Sequence, residues 1–357
     1  MTAFSPVFIK GTCMDMCPVR ERKLREKEGL LHLLELPAGT SLQSTPTAHP
    51  YLTVKSFSRS AAGHHTPHQD ELRPPDILYK TVCHLLTSTV LRQGVDWCTV
   101  YDFVFDRLRA VRQDLVIQGL GCVESIPILE PTVRFHSYAG YRLCAEPLSK
   151  FEPAINCTHL LECLKRLLVL YDDCHNTSSL EVRADMEALY LLMGLGSYQT
   201  LSRALQLPGE LRQHPTVKTA FAMSLALWSG NYVRLCTLLP KLPPLLKCVA
   251  AQQLPLVRRH ALQIMSCAYS SHNLTFPLSR LQTLLLYKTH KQAESDCKRY
   301  GISVKDNAVM FNKATFQPNA HGPCLYVECV DMALQSVDLT ELLLLKDRAP
   351  EPTETVK

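Results

Sequence analysis

Cys13 and Cys17, with His64, His65 and His68 further along, are the side chains that could hold a soft metal ion such as zinc. A structural zinc site usually opens with two cysteines separated by two residues and is completed by a second pair at finger distance. Here three residues separate the cysteines and no second pair follows, so no metal is expected. The alternative is that Cys13, Met14, Met16 and Cys17 pack an apolar N-terminal strap onto the rest of the chain. Asp172, Asp173 and His175 offer carboxylates and an imidazole for acid–base work. They close a helix and meet a polar turn, where solvated helix-end charge is the simpler reading. No G-x-S-x-G, glycine-rich phosphate loop or H-E-x-x-H accompanies them. The sequence therefore predicts no catalytic residues, no cofactor and no small-molecule substrate.

The remaining chemistry is cationic. In residues 102–118, DFVFDRLRAVRQDLVIQ, Arg107, Arg109 and Arg112 alternate with Asp102, Asp106 and Asp114. Val100, Val104, Leu108, Val111 and Leu115 recur at spacings of four and three, which makes one face of a helix apolar. The guanidinium groups can meet an acidic partner or a phosphate, or pair with carboxylates of the chain itself. Arg134 and His136, in VRFHSY, carry the same two readings. A second set lies towards the C-terminus: Arg258, Arg259, Arg280, Lys288, Lys291, Lys298, Arg299, Lys305 and Lys313. The last seven are candidates for nucleic-acid contact, which would be salt-dependent and indifferent to sequence. Glu294 and Asp296 lie among them, and a protein partner is the other candidate for the same surface.

These residues need elements to position them. Apolar content of 46% with 20% charged residues is that of a globular chain, and only 7% aromatics with abundant leucine favours helix over sheet. Net charge is +5, too mild to demand a polyanionic partner. Fifteen cysteines, an odd number scattered among leucines and alanines, argue against a disulfide framework and for a reducing compartment. The first ten residues lack the pattern of a secretory leader, and no apolar run approaches the roughly 18 residues of a membrane span.

The expected layout is an N-terminal strap (1–36), a mobile loop rich in Ser, Thr, Pro and His (37–72), a helical solenoid (73–254), a winged helix (255–330) and a C-terminal helix with a frayed tail (331–357). Helices are predicted from 73, where two prolines make a good opening, and at 98–118, 132–146, 156–173, 180–194, 216–228, 256–269, 278–287 and 292–301. Two β-like runs, 307–316 and 324–329, follow. The fold class is all-α: an irregular solenoid ending in a winged helix with a short hairpin.

Several segments in order resemble the SAC/GANP domain: GTCMDMCPVRER at 11–22, RPPDILYKTVCHLL at 73–86, FDRLRAVRQDLVIQ at 105–118, VRFHSYAGYRLC at 133–144 and NCTHLLECLKRLLVLYDD at 156–173. WSGNYVRLCTLL at 228–239 resembles the turn joining solenoid to winged helix in PCI-like proteins, and YGISV at 300–304 the family's winged-helix segment. The resemblance covers roughly residues 10–330. It implies a non-enzymatic scaffold. Large members of the family anchor an mRNA-export complex at the nuclear pore, paired with a PCI-type winged-helix subunit and a small acidic subunit, and together present a basic surface to nucleic acid. The chain shows no Phe-Gly repeats, centrin-binding helix or acetyltransferase segment. Its compact form resembles the small, domain-only member, associated with centrosome duplication and mitotic progression. The expectation is a cytoplasmic, centrosomal and spindle scaffold with a PCI-type partner. The alternative is a nuclear adaptor in mRNA export that binds RNA or single-stranded nucleic acid.

Overall fold

The computed structural model describes residues 8–37, 46–59, 67–174 and 178–344. The all-α expectation holds, with one small sheet in the C-terminal third. In chain order the elements are α1 (Val19–Lys27), α2 (Pro75–His84), α3 (Trp97–Ile117), α4 (Cys122–Arg142), α5 (Pro153–Asp173), α6 (Leu180–Met193), α7 (Tyr198–Gln206), α8 (Gly209–Gln213) and α9 (Pro215–Trp228). They continue with α10 (Tyr232–Leu238), α11 (Pro244–Gln252), α12 (Leu254–Ala268), β1 (Phe276–Pro277), α13 (Leu278–Leu284), α14 (His290–Arg299), β2 (Ser303–Lys305), β3 (Ala308–Met310), α15 (Glu328–Gln335) and α16 (Leu339–Leu343). No helix among the described residues is long and apolar enough to cross a membrane.

By contact the chain divides into two compact units. The first is Met1–Phe135 with Val169–Thr177 and Thr340–Lys357; the second is His136–Leu168 with Ser178–Leu339.

In the first unit, α2 opens with Pro75 at its first position, where the missing N–H costs nothing. On α3 the predicted stripe of Val100, Val104, Leu108, Val111 and Leu115 is buried throughout. Burying each such side chain is worth about 1.5–3 kcal/mol, which fixes the face α3 turns inward. The helix expected from 132 opens ten residues earlier, at Cys122, and runs through Pro127 and Pro131. Each proline removes one i→i−4 hydrogen bond. Ile126, Ile128, Leu129 and Val133 are fully buried and carry the helix through those gaps. A disulfide that the cysteine count did not foresee joins Cys122 to Cys174, with Cα atoms 6.4 Å apart. Of the stretch expected to be a mobile loop, Val54 and Leu72 are fully buried. Residues 38–45 and 60–66 of that loop, like the tail from 345, lie outside the described residues.

In the second unit α6 packs against α9 and α11, and α10 against α9. Helices α7, α8, α10 and α11 were not expected. None exceeds nine residues, too short for a 3.6-residue period to stand out. The turn expected at WSGNY is made by Gly230 (φ +70°), and Asn231 Oδ1 then accepts the Arg234 N–H at 2.9 Å to start α10.

From α12 onward the order is helix, strand, helix, helix, strand, strand, the winged-helix succession. The sheet runs β1-β3-β2, all antiparallel, with Val309 paired to both Phe276 and Val304. Pro277 is tolerated because β1 is an edge strand. Asp306 (φ +49°) and Asn307 (φ +60°) form the two-residue turn of the hairpin, the left-handed pair that suits the twist of its strands. The expected strands are corrected in part. The run 307–316 is strand only at 308–310. The run 324–329 joins no sheet; Val327 donates its N–H to the Tyr141 hydroxyl at 2.8 Å, and α15 begins at the next residue.

Candidate partner and nucleic-acid interface

The arginines of α3 face into the first unit. Arg107, 7% exposed, reaches Glu35 Oε1 at 3.4 Å, pairs with Asp106 and lies over the Phe103 ring at 4.4 Å. Glu35 is a hub. Fully buried, it also pairs with Arg25 and accepts the N–H groups of Val54 and His32, each at 3.0 Å. The Arg109 guanidinium lies 3.9 Å over the Phe57 ring, and Arg112 is half-buried. Arg134 is buried on α4 and donates to the Leu342 carbonyl at 3.0 Å. His136, in the second unit, is buried and bonds Asn156 at 2.8 Å.

Sequence reasoning passed over the deepest ion cluster. Arg73 and Asp114 are both fully buried, with Nε donating to Oδ2 at 2.8 Å. Lys55 Nζ donates to the other Asp114 oxygen at 2.7 Å, so one carboxylate holds two cations. Gln118 closes the frame: its Nε2 donates to the Arg73 carbonyl at 2.8 Å and its Oε1 accepts the Gly11 N–H at 2.8 Å. A Cβ at Gly11 would stand 2.4 Å from the Leu72 carbonyl oxygen, so only glycine fits there. No local spacing announces a partner 41 residues away.

The thiols considered for zinc are inward-facing. Cys13 donates to the Asp15 carbonyl at 3.2 Å and Cys17 to that of Pro18 at 3.7 Å. Burial pushes both thiols up, Cys17 to about 12. His64, His65 and His175 lie outside the described residues.

The seven C-terminal cations are all on the surface. Arg280 stands on α13, Lys291, Lys298 and Arg299 on α14, and Lys305 beside the hairpin turn. Lys288 precedes α14. Lys313 follows β3, its backbone N–H donating to Ser270 Oγ at 3.2 Å. Three of the seven have carboxylate partners: Lys288 with Asp331 at 2.7 Å, Lys298 with Glu294 at 2.6 Å and Arg299 with Asp296 at 3.7 Å. Arg280, Lys291, Lys305 and Lys313 have no carboxylate partner among the described residues. Arg258 does not belong to this surface. It is fully buried, donates to the carbonyls of Leu285 (3.0 Å) and Leu286 (2.7 Å), and lies 4.1 Å over the Tyr287 ring. Tyr287 in turn donates to Asp296 at 2.7 Å and so fixes α14 from within. Burial raises the Asp296 carboxyl above its ordinary range, against the lowering effect of that hydrogen bond and of Arg258. Thr289 caps α14 by accepting the Gln292 N–H.

Comparison with known proteins finds the model of the SAC3/GANP family over residues 16–306. Protein xmas of Drosophila melanogaster is 29% identical over 83% of this chain and 15% of its own length. SAC3 family protein 1 of Schizosaccharomyces pombe is 27% identical over 86% of this chain and 32% of its own. SAC3 family protein B of Arabidopsis thaliana is 29% identical over 72% of this chain and 16% of its own. The chain thus spans a third or less of each of these relatives.

Proposed function

Because the chain belongs to the SAC3/GANP family, a family of scaffolds, we propose that it is a non-enzymatic adaptor whose winged helix docks a PCI-type subunit. The observation that carries this reading is the family match, which extends from the first unit into the hairpin of the winged helix. We place the adaptor in centrosome duplication and mitotic progression, in the cytoplasm at the centrosome and spindle. That placement rests on the resemblance of the sequence to the compact member of the family. Affinity purification of the tagged chain from dividing cells tests it. A PCI-type subunit together with centrosomal or spindle proteins is expected. Recovery of the chain alone, as a stable monomer, would end the adaptor reading.

The second reading, a nuclear mRNA-export adaptor that touches RNA or single-stranded nucleic acid, is favoured by one observation. Arg280, Lys291, Lys305 and Lys313 are exposed and, among the described residues, have no carboxylate partner to compete with a phosphate. Lys298 and Arg299 would first have to leave Glu294 and Asp296. Reversing the four uncompensated cations to Glu should then abolish binding to single-stranded RNA, whereas Lys298→Glu alone should weaken it less. RNA affinity unchanged in the fourfold variant removes the winged helix as the binding surface.

A further inference from the structure

Between Glu210 and Glu294 the chain holds ten Lys and Arg residues and not one Asp or Glu. The formal charge of the whole chain is only +5, so everything outside this stretch is net acidic. Helix surfaces ordinarily mix the two signs and pair them one turn apart; within this stretch no such pair can form. Helices α9, α10 and α12 all come from it, and in the second unit they frame a surface cavity of about 290 Å³. Val257 is buried at its floor, and Tyr232 and His260 are half-buried on its walls. Trp228 and Ile264 stand at its rim, 71% and 40% exposed. The turn at Gly230 lies so close to α12 that a Cβ there would touch Ile264 Cδ1 at 3.5 Å. Arg234 is exposed on α10, just past Tyr232, and Arg259 is half-buried beside His260. Neither arginine has a carboxylate partner among the described residues.

We propose that this cavity docks an acidic peptide segment of another protein, which seats one aromatic or leucine side chain beside Trp228 while flanking Asp and Glu face Arg234 and Arg259. This is a partner additional to the PCI-type subunit, and the proposal does not rest on that subunit. The volume lies at the lower end of ligand pockets, which run to about 300–1,000 Å³, and suits one large side chain rather than a cofactor. Tryptophan with a ring of cations is the composition of a binding hot spot, not of an idle surface.

The walls favour an apolar side chain over a nucleotide base. Val257 and Ile264 are aliphatic, and burial, with the charge of Arg259 in the same sense, pushes the His260 imidazole below its ordinary range. That wall is therefore neutral at pH 7, and the positive charge stands outside the cavity, where it steers an acidic segment in. The chain does not supply the occupant itself. Residues 1–7, 38–45, 60–66 and 175–177 contain no Asp or Glu, and the tail from 345 balances Asp347, Glu351 and Glu354 with Lys346, Arg348 and Lys357.

The test selects peptides from a randomised displayed library on the purified full chain, with no PCI-type subunit present. The expected result is a consensus of Asp and Glu around one Phe, Trp or Leu. A synthetic peptide of that consensus should shift the tryptophan emission of the unsubstituted chain to the blue. Trp228→Ala should abolish the shift and lower peptide affinity about tenfold or more. Arg234→Glu with Arg259→Gln should weaken binding and flatten its dependence on salt. Trp228 and Arg234 are exposed, so substitutions there leave the core intact, and the selection itself needs no variant. A basic consensus, no consensus, or peptide affinity unchanged in Trp228→Ala overturns the proposal. So does an emission shift produced by single-stranded RNA in place of the peptide, or a dimer of the chain that Trp228→Ala abolishes. Failure to recover a PCI-type subunit from cells leaves all these readings unchanged, so the two proposals fail separately.

Discussion

Arg107 and Lys298 stand on helices with similar mixtures of charge, yet they meet opposite fates. In the first unit, α3 turns Arg107 and Asp114 inward, against Glu35, Lys55 and Arg73 drawn from distant parts of the chain. In the second, α14 turns Lys298 outward to a glutamate one turn away on its own surface. The difference lies in where the counter-charge comes from. A partner brought by tertiary folding lets a cation be buried, because the pair is desolvated together and its remaining hydrogen bonds are met. A partner one turn away lets it stay wet and available.

The comparison can be broken first at its most buried point. Asp114→Ala leaves Arg73 and Lys55 without their shared carboxylate. Removing one partner of a buried pair costs about 3–5 kcal/mol, so urea unfolding should show a large loss of stability. If the loss is under about 1 kcal/mol, the cluster does not hold the N-terminal strap. A smaller effect is expected at Arg109, half-buried over Phe57. Arg109→Ala should lower stability by about 0.5–1 kcal/mol, and Phe57→Leu should remove most of the difference between the two. Asp296 sharpens the contrast from the other unit, because it is a buried carboxylate whose folded-state pKa is raised. A raised acid binds more protons folded than unfolded, so stability falls as pH rises through its titration. Asp296→Asn, which retains an acceptor for Tyr287, should therefore raise the melting temperature at neutral pH. The gain should fade as pH falls through the carboxylate range; a constant gain would show that ionisation of Asp296 is not its source. Lys298→Ala should move stability by no more than about 0.5 kcal/mol, the usual worth of an exposed i,i+4 pair.

What was legible in the sequence follows from the same distinction. The apolar stripe of α3 is a local period, and every predicted member of it is buried. The order of helices ahead of the hairpin was likewise readable. The start of α4 was not, because Pro127 and Pro131 signal a break that burial of their neighbours overrides. The hairpin turn carried a signal that went unused, since Asp306-Asn307 is a pair that tolerates left-handed backbone. The run at 324–329 has strand-like composition, but a tyrosine hydroxyl from a distant helix takes the hydrogen bond a strand would need. Among candidate site residues, exposure of the seven C-terminal cations agrees with their polar surroundings. Which four lack a carboxylate partner among the described residues depends in part on Asp331, 43 residues beyond Lys288, and no local spacing reveals it.

The Arg73–Asp114 pair also sets a schedule for the ribosome. Lys55 and Arg73 are synthesised first, and the carboxylate that neutralises both follows Arg73 by 41 residues. At 5–20 residues per second the nascent segment therefore waits about 2–8 s before its cations can be buried. During that interval Arg73, which donates to the Met16 carbonyl in the finished protein, has no carboxylate partner, and Cys13, Met16, Cys17 and Val54, all buried once folding is complete, wait with it. The N-terminal strap is thus made early and seated late, and for those seconds its apolar residues are exposed to whatever chaperone attends the emerging chain.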